Sequence, residues 1–160
     1  MTKPASAFVY VTYIRTTPEK LWSALTESDF MSRWWLGMRF ETDWKPGSPW
    51  KLEFPDGRLA DGGVVVECDR PKRIVLRWRN HWSPELNAEG DAQCVFEVEP
   101  AADGAVKLSI THTMDRPESK LIQAVSGGWP RLLSNLKSLL ETGDPIAPAK
   151  ELGCQGSSAA

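Results

Sequence analysis

The sequence predicts an α+β domain: a curved, seven-stranded antiparallel sheet wrapped around one long C-terminal helix, with two short helices after the first strand. Three observations lead there. A β-type stretch at 8–14 runs into two helix-start signals, residues 38–114 alternate apolar with polar between turn signals, and from Ile122 to Leu140 the apolar spacing is helical. The 160 residues suffice for one core and are too few for two ordinary ones.

The first strand places Tyr10, Thr12 and Ile14 on one face. Thr17-Pro18-Glu19 then supplies an N-cap, a Pro at the first helical position and an acid in the first turn, and Leu21, Trp22 and Leu25 follow at helical spacing. Ser28-Asp29 offers a second cap, and Phe30, Met31, Trp34 and Trp35 carry one or two more turns before Gly37. Six strands follow near 38–41, 50–54, 63–68, 73–79, 92–99 and 105–113, separated by Pro-, Gly- and Asp-containing turns. Alternation turns Trp50, Leu52 and Phe54 inward, then Val64, Val66 and Cys68, Ile74, Leu76 and Trp78, Cys94, Phe96 and Val98, and Leu108, Ile110 and His112. A bulge or one-residue slip would exchange the two faces, and Val65, Val75 and Val95 permit one. The last helix carries Ile122, Val125, Trp129, Leu132, Leu133, Leu136, Leu139 and Leu140 and ends at Gly143. Ser126-Gly127-Gly128 and Pro130 interrupt its first part, so a kink or fresh start is expected near Trp129. Segments 1–7 and 144–160 read as a disordered N-terminus and a flexible C-terminal tail around a domain at 8–143.

Nineteen Lys and Arg against 21 Asp and Glu leave a net charge of -2 with both signs interspersed, which gives no footprint for nucleic acid. No segment has the form of a signal peptide or the length to insert across a membrane. Cys68, Cys94 and Cys154 form no CxxC pair and no ligand set with His81 and His112, so reduced thiols, a cytoplasmic setting and no metal are expected. There is no GxSxG, and Ser126-Gly127-Gly128 lacks the glycine spacing and preceding strand of a dinucleotide loop; no catalytic residue and no cofactor is assigned.

One helix cannot fill the trough of such a sheet evenly. Residues 129–142 make about 21 Å of helix against a sheet roughly 30 Å wide. Beside Ser126, Gly127 and Gly128 the gap must be closed by opposing aromatics, by water or by a ligand. Candidates to line it are Trp35, Trp50, Trp78, Phe96, His112, Ile122, Val125 and Trp129. Such a pocket suits a small hydrophobic or aromatic molecule oriented by His112 or an indole N–H, the competing reading being that these side chains simply fill the core. An enzyme of cyclase, isomerase or dehydratase type using a carboxylate with His112 is the alternative. Asp61, Glu67, Glu85 and Glu89 are the acids nearest the sheet rims and read as solvated loop or outer-face residues. Loop 80–91, with His81, Trp82 and Pro84, is long for a hairpin: a lid, a dimer contact, or an irregular loop with Trp82 folded onto the core. Trp44 and Trp82, if exposed, would suit a homodimer.

Several stretches carry a resemblance: Tyr13-Ile14 followed by Pro18-Glu19-Lys20-Leu21-Trp22 and Leu25-Thr26, then Trp44-Lys45-Pro46-Gly47-Ser48, then Ser126-Gly127-Gly128-Trp129-Pro130 running into Leu136-Lys137-Ser138-Leu139-Leu140-Glu141-Thr142-Gly143. From about Val9 to Gly143 the chain resembles the activator-of-heat-shock-protein-90-ATPase homologues, a branch of the START-like (SRPBCC) superfamily, in its bacterial single-domain form. The resemblance implies the helix-grip fold and a hydrophobic cavity between sheet and helix. It carries over no catalytic motif, because the superfamily spreads lipid carriers, hormone receptors and polyketide cyclases over one scaffold. The eukaryotic co-chaperone has a further N-terminal domain that carries much of its chaperone contact. This chain has no room for it, so direct chaperone binding is not expected, and a protein-interaction module is the third reading.

Overall fold

Seven strands pair antiparallel in the order β1-β7-β6-β5-β4-β3-β2, in a computed structural model that describes residues 4–147. The elements are β1 (Ser6–Arg15), α1 (Pro18–Thr26), α2 (Ser28–Trp34), β2 (Arg39–Glu41), β3 (Pro49–Glu53), β4 (Leu59–Asp69), β5 (Arg73–Asn80), α3 (Pro84–Asn87), β6 (Ala92–Pro100), β7 (Ala105–Met114) and α4 (Lys120–Thr142). This is the helix-grip arrangement that the sequence predicts. Residues 1–3 and 148–160 lie outside the described residues, and with them the first three residues of the segment read at 1–7 and most of that read at 144–160.

Local chemistry explains the helices. Thr17 Oγ1 accepts the Lys20 N–H at 3.1 Å and Pro18 opens α1, while the indole N–H of fully buried Trp34 donates to Ala24 O at 2.8 Å and ties α2 to α1. Ser119 caps α4 through Ile122 N–H, and Glu89 accepts from Ser119 Oγ and from the N–H groups of Lys120 and Leu121. Three of the donors that a helix start leaves unpaired thus find oxygens. Gly143, at φ 93°, ends the helix with its N–H on Leu139 O. The kink or restart expected near Trp129 does not divide the helix: α4 runs unbroken for 23 residues through Pro130. Proline deletes one bond, that to the Ser126 carbonyl, and the buried stripe on both sides holds the axis.

Two sequence expectations for the sheet change. β4 begins at Leu59, four residues early, and its inward set is not Val64 and Val66: Val65 is 0% exposed and Val66 44%. The register shifts between Val65 and Glu67, so Val66 is the extra residue of a bulge, and half-buried Cys68 returns to the inner face opposite Ile74. Trp44 is not exposed: its indole N–H donates to Thr26 O at 2.8 Å and its ring stacks on Phe40 at 5.2 Å. Trp82 is half-buried against the core. Three apolar side chains that face solvent, Val9, Val11 and Tyr13, at 58%, 43% and 53%, form a row on the outer face of edge strand β1.

The end of that edge is guarded. Glu141 accepts the Arg15 N–H at 2.8 Å and pairs with Lys137, which donates to Tyr13 O, so two edge groups of β1 are satisfied by α4. At the C-terminal side of α4, Asn135 holds Ala147 by both amide groups, with N–H to Oδ1 at 2.9 Å and Nδ2 to O at 3.3 Å.

Candidate functional site

Helical spacing on α4 builds one wall of the site. Leu121, Ala124, Val125, Gly128, Trp129 and Leu132 fall at i, i+3, i+4, i+7, i+8 and i+11, one stripe turned toward the sheet. Facing it are Leu52 and Phe54 from β3 and the residue after it, Ala60 and Asp61 from β4, and Trp78 and Asn80 from β5. Trp35 and Met38 close the side next to α2, and Trp82 and Leu86 come from the loop around α3. Between them is a cleft of about 50 Å³, whose half-exposed lining residues Trp82, Ala124, Val125 and Gly128 mark its mouth.

Indoles fill most of the trough. Trp35 stacks with Trp78 at 6.3 Å and meets Trp129 edge-on at 5.3 Å, Trp50 lies 4.7 Å from Trp78, and Phe96 meets Trp129 edge-on at 5.6 Å. Such offset and edge-on pairs are the geometries that aromatic quadrupoles favour. Of the eight residues read from the sequence as lining, Trp35, Trp78, Val125 and Trp129 line the cleft. Trp50, Phe96, His112 and Ile122 are buried in the core and are not among its lining residues. Gly127 is exposed, and a Cβ there would meet nothing within 4 Å; Gly128 is the glycine over the cleft.

His112 is held neutral. It is 0% exposed, and burial lowers its pKa from 6.5 to about 3. Nδ1 accepts the Trp129 indole N–H at 3.1 Å, so in the neutral ring the hydrogen sits on Nε2, which has no partner. The candidate roles of His112 are ligand orientation, a base, or a satisfied core histidine; it is a core residue that fixes the Trp129 ring.

The polar group inside the cleft is one that the sequence placed in solvent. Asp61 is only 8% exposed, which corrects its reading as a solvated rim residue. Cross-strand register sets it opposite Asn80, whose Nδ2 donates to Oδ1 at 3.0 Å, and the Trp78 indole N–H donates to the same oxygen at 3.1 Å. Asn80 cannot turn its amide over, because its Oδ1 accepts the Ser83 N–H at 3.0 Å. Asp61 Oδ2 accepts no hydrogen bond among the described residues. Burial pushes the Asp61 carboxyl up to about 7, against the opposing pull of the Trp78 and Asn80 donors. A neighbouring glycine makes this packing feasible: a Cβ on Gly63 would stand 1.8 Å from Arg77 O, the carbonyl that also accepts the Trp50 indole N–H at 3.0 Å.

Asp61, Asn80, Trp82 and Gly128 thus line the cleft although none is among the eight lining candidates read from the sequence. Period-two counting back from Val65 through Gly63 reaches Asp61 on the inner face, a signal hidden by starting the strand at Gly63. Among the described residues, no three His, Cys, Asp or Glu side chains converge as a metal ion would require.

The fold recurs in solved structures. Protein MLL2253 from Mesorhizobium loti matches with a TM-score of 0.72 at 23% identity, over 84% of this chain and 96% of that one. An Hsp90 activator from Plasmodium falciparum, PFC0360w, matches with 0.69 at 23% identity over 84% and 95%. The Aha1 dimer from Colwellia psychrerythraea matches with 0.67 at 20% identity over 86% and 98%. No curated protein matches the chain in sequence. A family model does match, over residues 15–141, from the last residue of β1 nearly to the end of α4 and so across the whole cleft, and the chain belongs to the family described as Activator of Hsp90 ATPase homolog 1-like protein.

Proposed function

We propose that this protein reversibly binds a small hydrophobic or aromatic molecule in the cleft between its sheet and α4. One observation carries the reading: a mostly apolar cleft that reaches the surface beside Trp82, with Gly128 as the position on the α4 stripe that supplies no side chain. Sites of this kind take apolar ligands and use a few polar groups for orientation. At about 50 Å³ the free space is a fraction of a drug-sized pocket, roughly 300–1,000 Å³. The ligand is therefore small, or it displaces the Trp82 side chain at the mouth.

The test follows intrinsic Trp fluorescence and thermal unfolding with naphthalene, indole and 1-octanol as probes, for wild type, Gly128→Leu and Gly127→Leu. Saturable quenching with a raised Tm in wild type and Gly127→Leu, abolished in Gly128→Leu, is the expected outcome. An identical response in all three variants places binding elsewhere and refutes the reading.

A second reading, a homodimer, is favoured by the exposed row Val9, Val11 and Tyr13 on an edge strand, and the Colwellia relative of this fold is described as a dimer. Sedimentation of wild type against Val11→Lys tests it. A monomeric wild type rejects it.

A further inference from the structure

The cleft has a charge preference that its apolar walls do not reveal. We infer that Asp61 is the counter-ion for a small organic ammonium, an alkyl- or arylamine in its protonated form, bound in the cleft; the inference rests on the cleft reading above.

Asp61 Oδ1 is filled by two N–H donors, and Oδ2, in a group that lines the cleft and is nine-tenths buried, has no partner among the described residues. No Lys, Arg or His lines the cleft, and Asp61 takes part in none of the ion pairs among the described residues. A carboxylate withdrawn from water without a counter-charge is among the costlier arrangements a fold can hold. A ligand hydroxyl would fill the open oxygen and leave the charge uncompensated. A ligand carboxylate would add to it. An ammonium supplies both a donor to Oδ2 and the missing charge, in a bond strengthened by that charge. Five aromatic residues, Trp35, Phe54, Trp78, Trp82 and Trp129, line the same cleft, and indole rings attract cations. The small free volume keeps the apolar body small unless it displaces Trp82 at the mouth.

The preference has a pH signature, because Asp61 is the titrating group in the cleft. β3 contributes Leu52, β5 contributes Trp78 and Asn80, α3 contributes Leu86, and α4 contributes only apolar residues and Gly128. Nearby charges are engaged elsewhere: Glu85 pairs with Lys120, Glu89 sits on the start of α4, and exposed His81 lies against Gly62. His112 is buried on Trp129 and neutral. Asp61 holds its proton up to about 7, so an ammonium must displace that proton at lower pH. Amine affinity therefore falls about tenfold per pH unit below about 7 and levels off above it.

The experiment is an NMR titration of the Trp indole N–H resonances at pH 8 with benzylamine, benzyl alcohol and benzoate, repeated at pH 7, 6 and 5 and on Asp61→Asn. Asparagine keeps an acceptor for Trp78 and Asn80 and removes the charge. Expected at pH 8 is benzylammonium binding at least about tenfold tighter than benzyl alcohol, with benzoate weakest and the Trp78 resonance moving. Expected on Asp61→Asn is at least about a tenfold loss for the amine and little change for the alcohol. Benzyl alcohol binding as tightly as benzylamine, with no pH dependence, overturns the counter-ion inference while leaving the cleft reading intact. Absence of indole shifts with every probe in the wild-type protein overturns both. The wild-type pH profile decides the matter even if Asp61→Asn proves unstable.

Discussion

Replacing Asp61 by Asn should change the pH dependence of stability in a way that exposes a second buried group. The folded protein holds the Asp61 proton up to about 7, whereas an unfolded Asp releases it at its ordinary value of 3.8. Between those values the unfolded state binds fewer protons, so stability is lost as pH rises, by about 1.4 kcal/mol per unit and about 4 kcal/mol in all. His112 has the opposite sign. An unfolded His takes up a proton below 6.5, and the folded ring refuses it down to about 3, so stability is lost as pH falls through the same range. From about pH 4.5 to 6.5 the two slopes cancel, and wild-type stability should be nearly flat.

Asp61→Asn removes one arm of that balance. Its unfolding free energy should rise by about 1.4 kcal/mol per pH unit between pH 4.5 and 6.5, about 3 kcal/mol over the interval, and exceed wild type by about 4 kcal/mol at pH 8. Keeping above pH 4.5 limits interference from Glu89 and Glu141, whose hydrogen-bonded carboxylates titrate below the usual range. Urea unfolding followed by Trp emission at pH 4.5, 5.5, 6.5 and 8 measures all of this. Parallel curves for wild type and Asp61→Asn, or a less stable variant at pH 8, would show that Asp61 is not a buried, proton-retaining carboxyl.

Four further substitutions probe the frame around the cleft. Gly127→Ala fills open space in a helix interior and should raise stability by about 1 kcal/mol, seen as a higher Tm, whereas Gly63→Ala drives a Cβ into Arg77 O and should cost upward of about 3 kcal/mol. Glu89→Ala strips the acceptor shared by Ser119 Oγ and the Lys120 and Leu121 amides; a loss of about 1–2 kcal/mol and faster hydrogen exchange at those amides is expected. Trp129→Phe leaves His112 Nδ1 without its donor and should cost about 1–3 kcal/mol in denaturant unfolding, and unchanged stability would deny that the bond matters.

The strand order, the paired helices and the closing helix were legible because two periodicities and a few caps dominate them: Thr17-Pro18 and Gly143 bound elements where local chemistry says they should, whereas the cap expected at Ser28-Asp29 does not form, since Glu27 holds the N-cap of α2 with no side-chain cap bond. What escaped was parity. The Val64-Val65-Val66 run gives no period of its own, and only the bulge decides that Val65 turns inward. The same uncertainty hid Asp61, since Gly62-Gly63 reads as an interruption when it is the room that Trp50 and the Arg77 carbonyl need. In α4 the face was recoverable: counting three from Val125 reaches Gly128, not Gly127, so a helix-phase argument identifies the glycine over the cleft without coordinates.

His112 Nε2 and Asp61 Oδ2 both lack a partner among the described residues and both belong to side chains that meet Trp78, and their surroundings assign them different work. His112 Nε2 is sealed in the core, its ring edge-on to Trp78 at 5.2 Å, with no place among the cleft-lining residues. Nothing entering the cleft can satisfy it directly, so its cost supports only the Trp129 ring that it holds. Asp61 Oδ2 belongs to a lining residue, and its cost is removable by a visitor. Trp78 touches both, with its N–H on Asp61 and its face near His112, and it meets Trp129 edge-on at 6.0 Å. A cation on Asp61 would therefore be felt first at the Trp78 indole and next at Trp129 and His112.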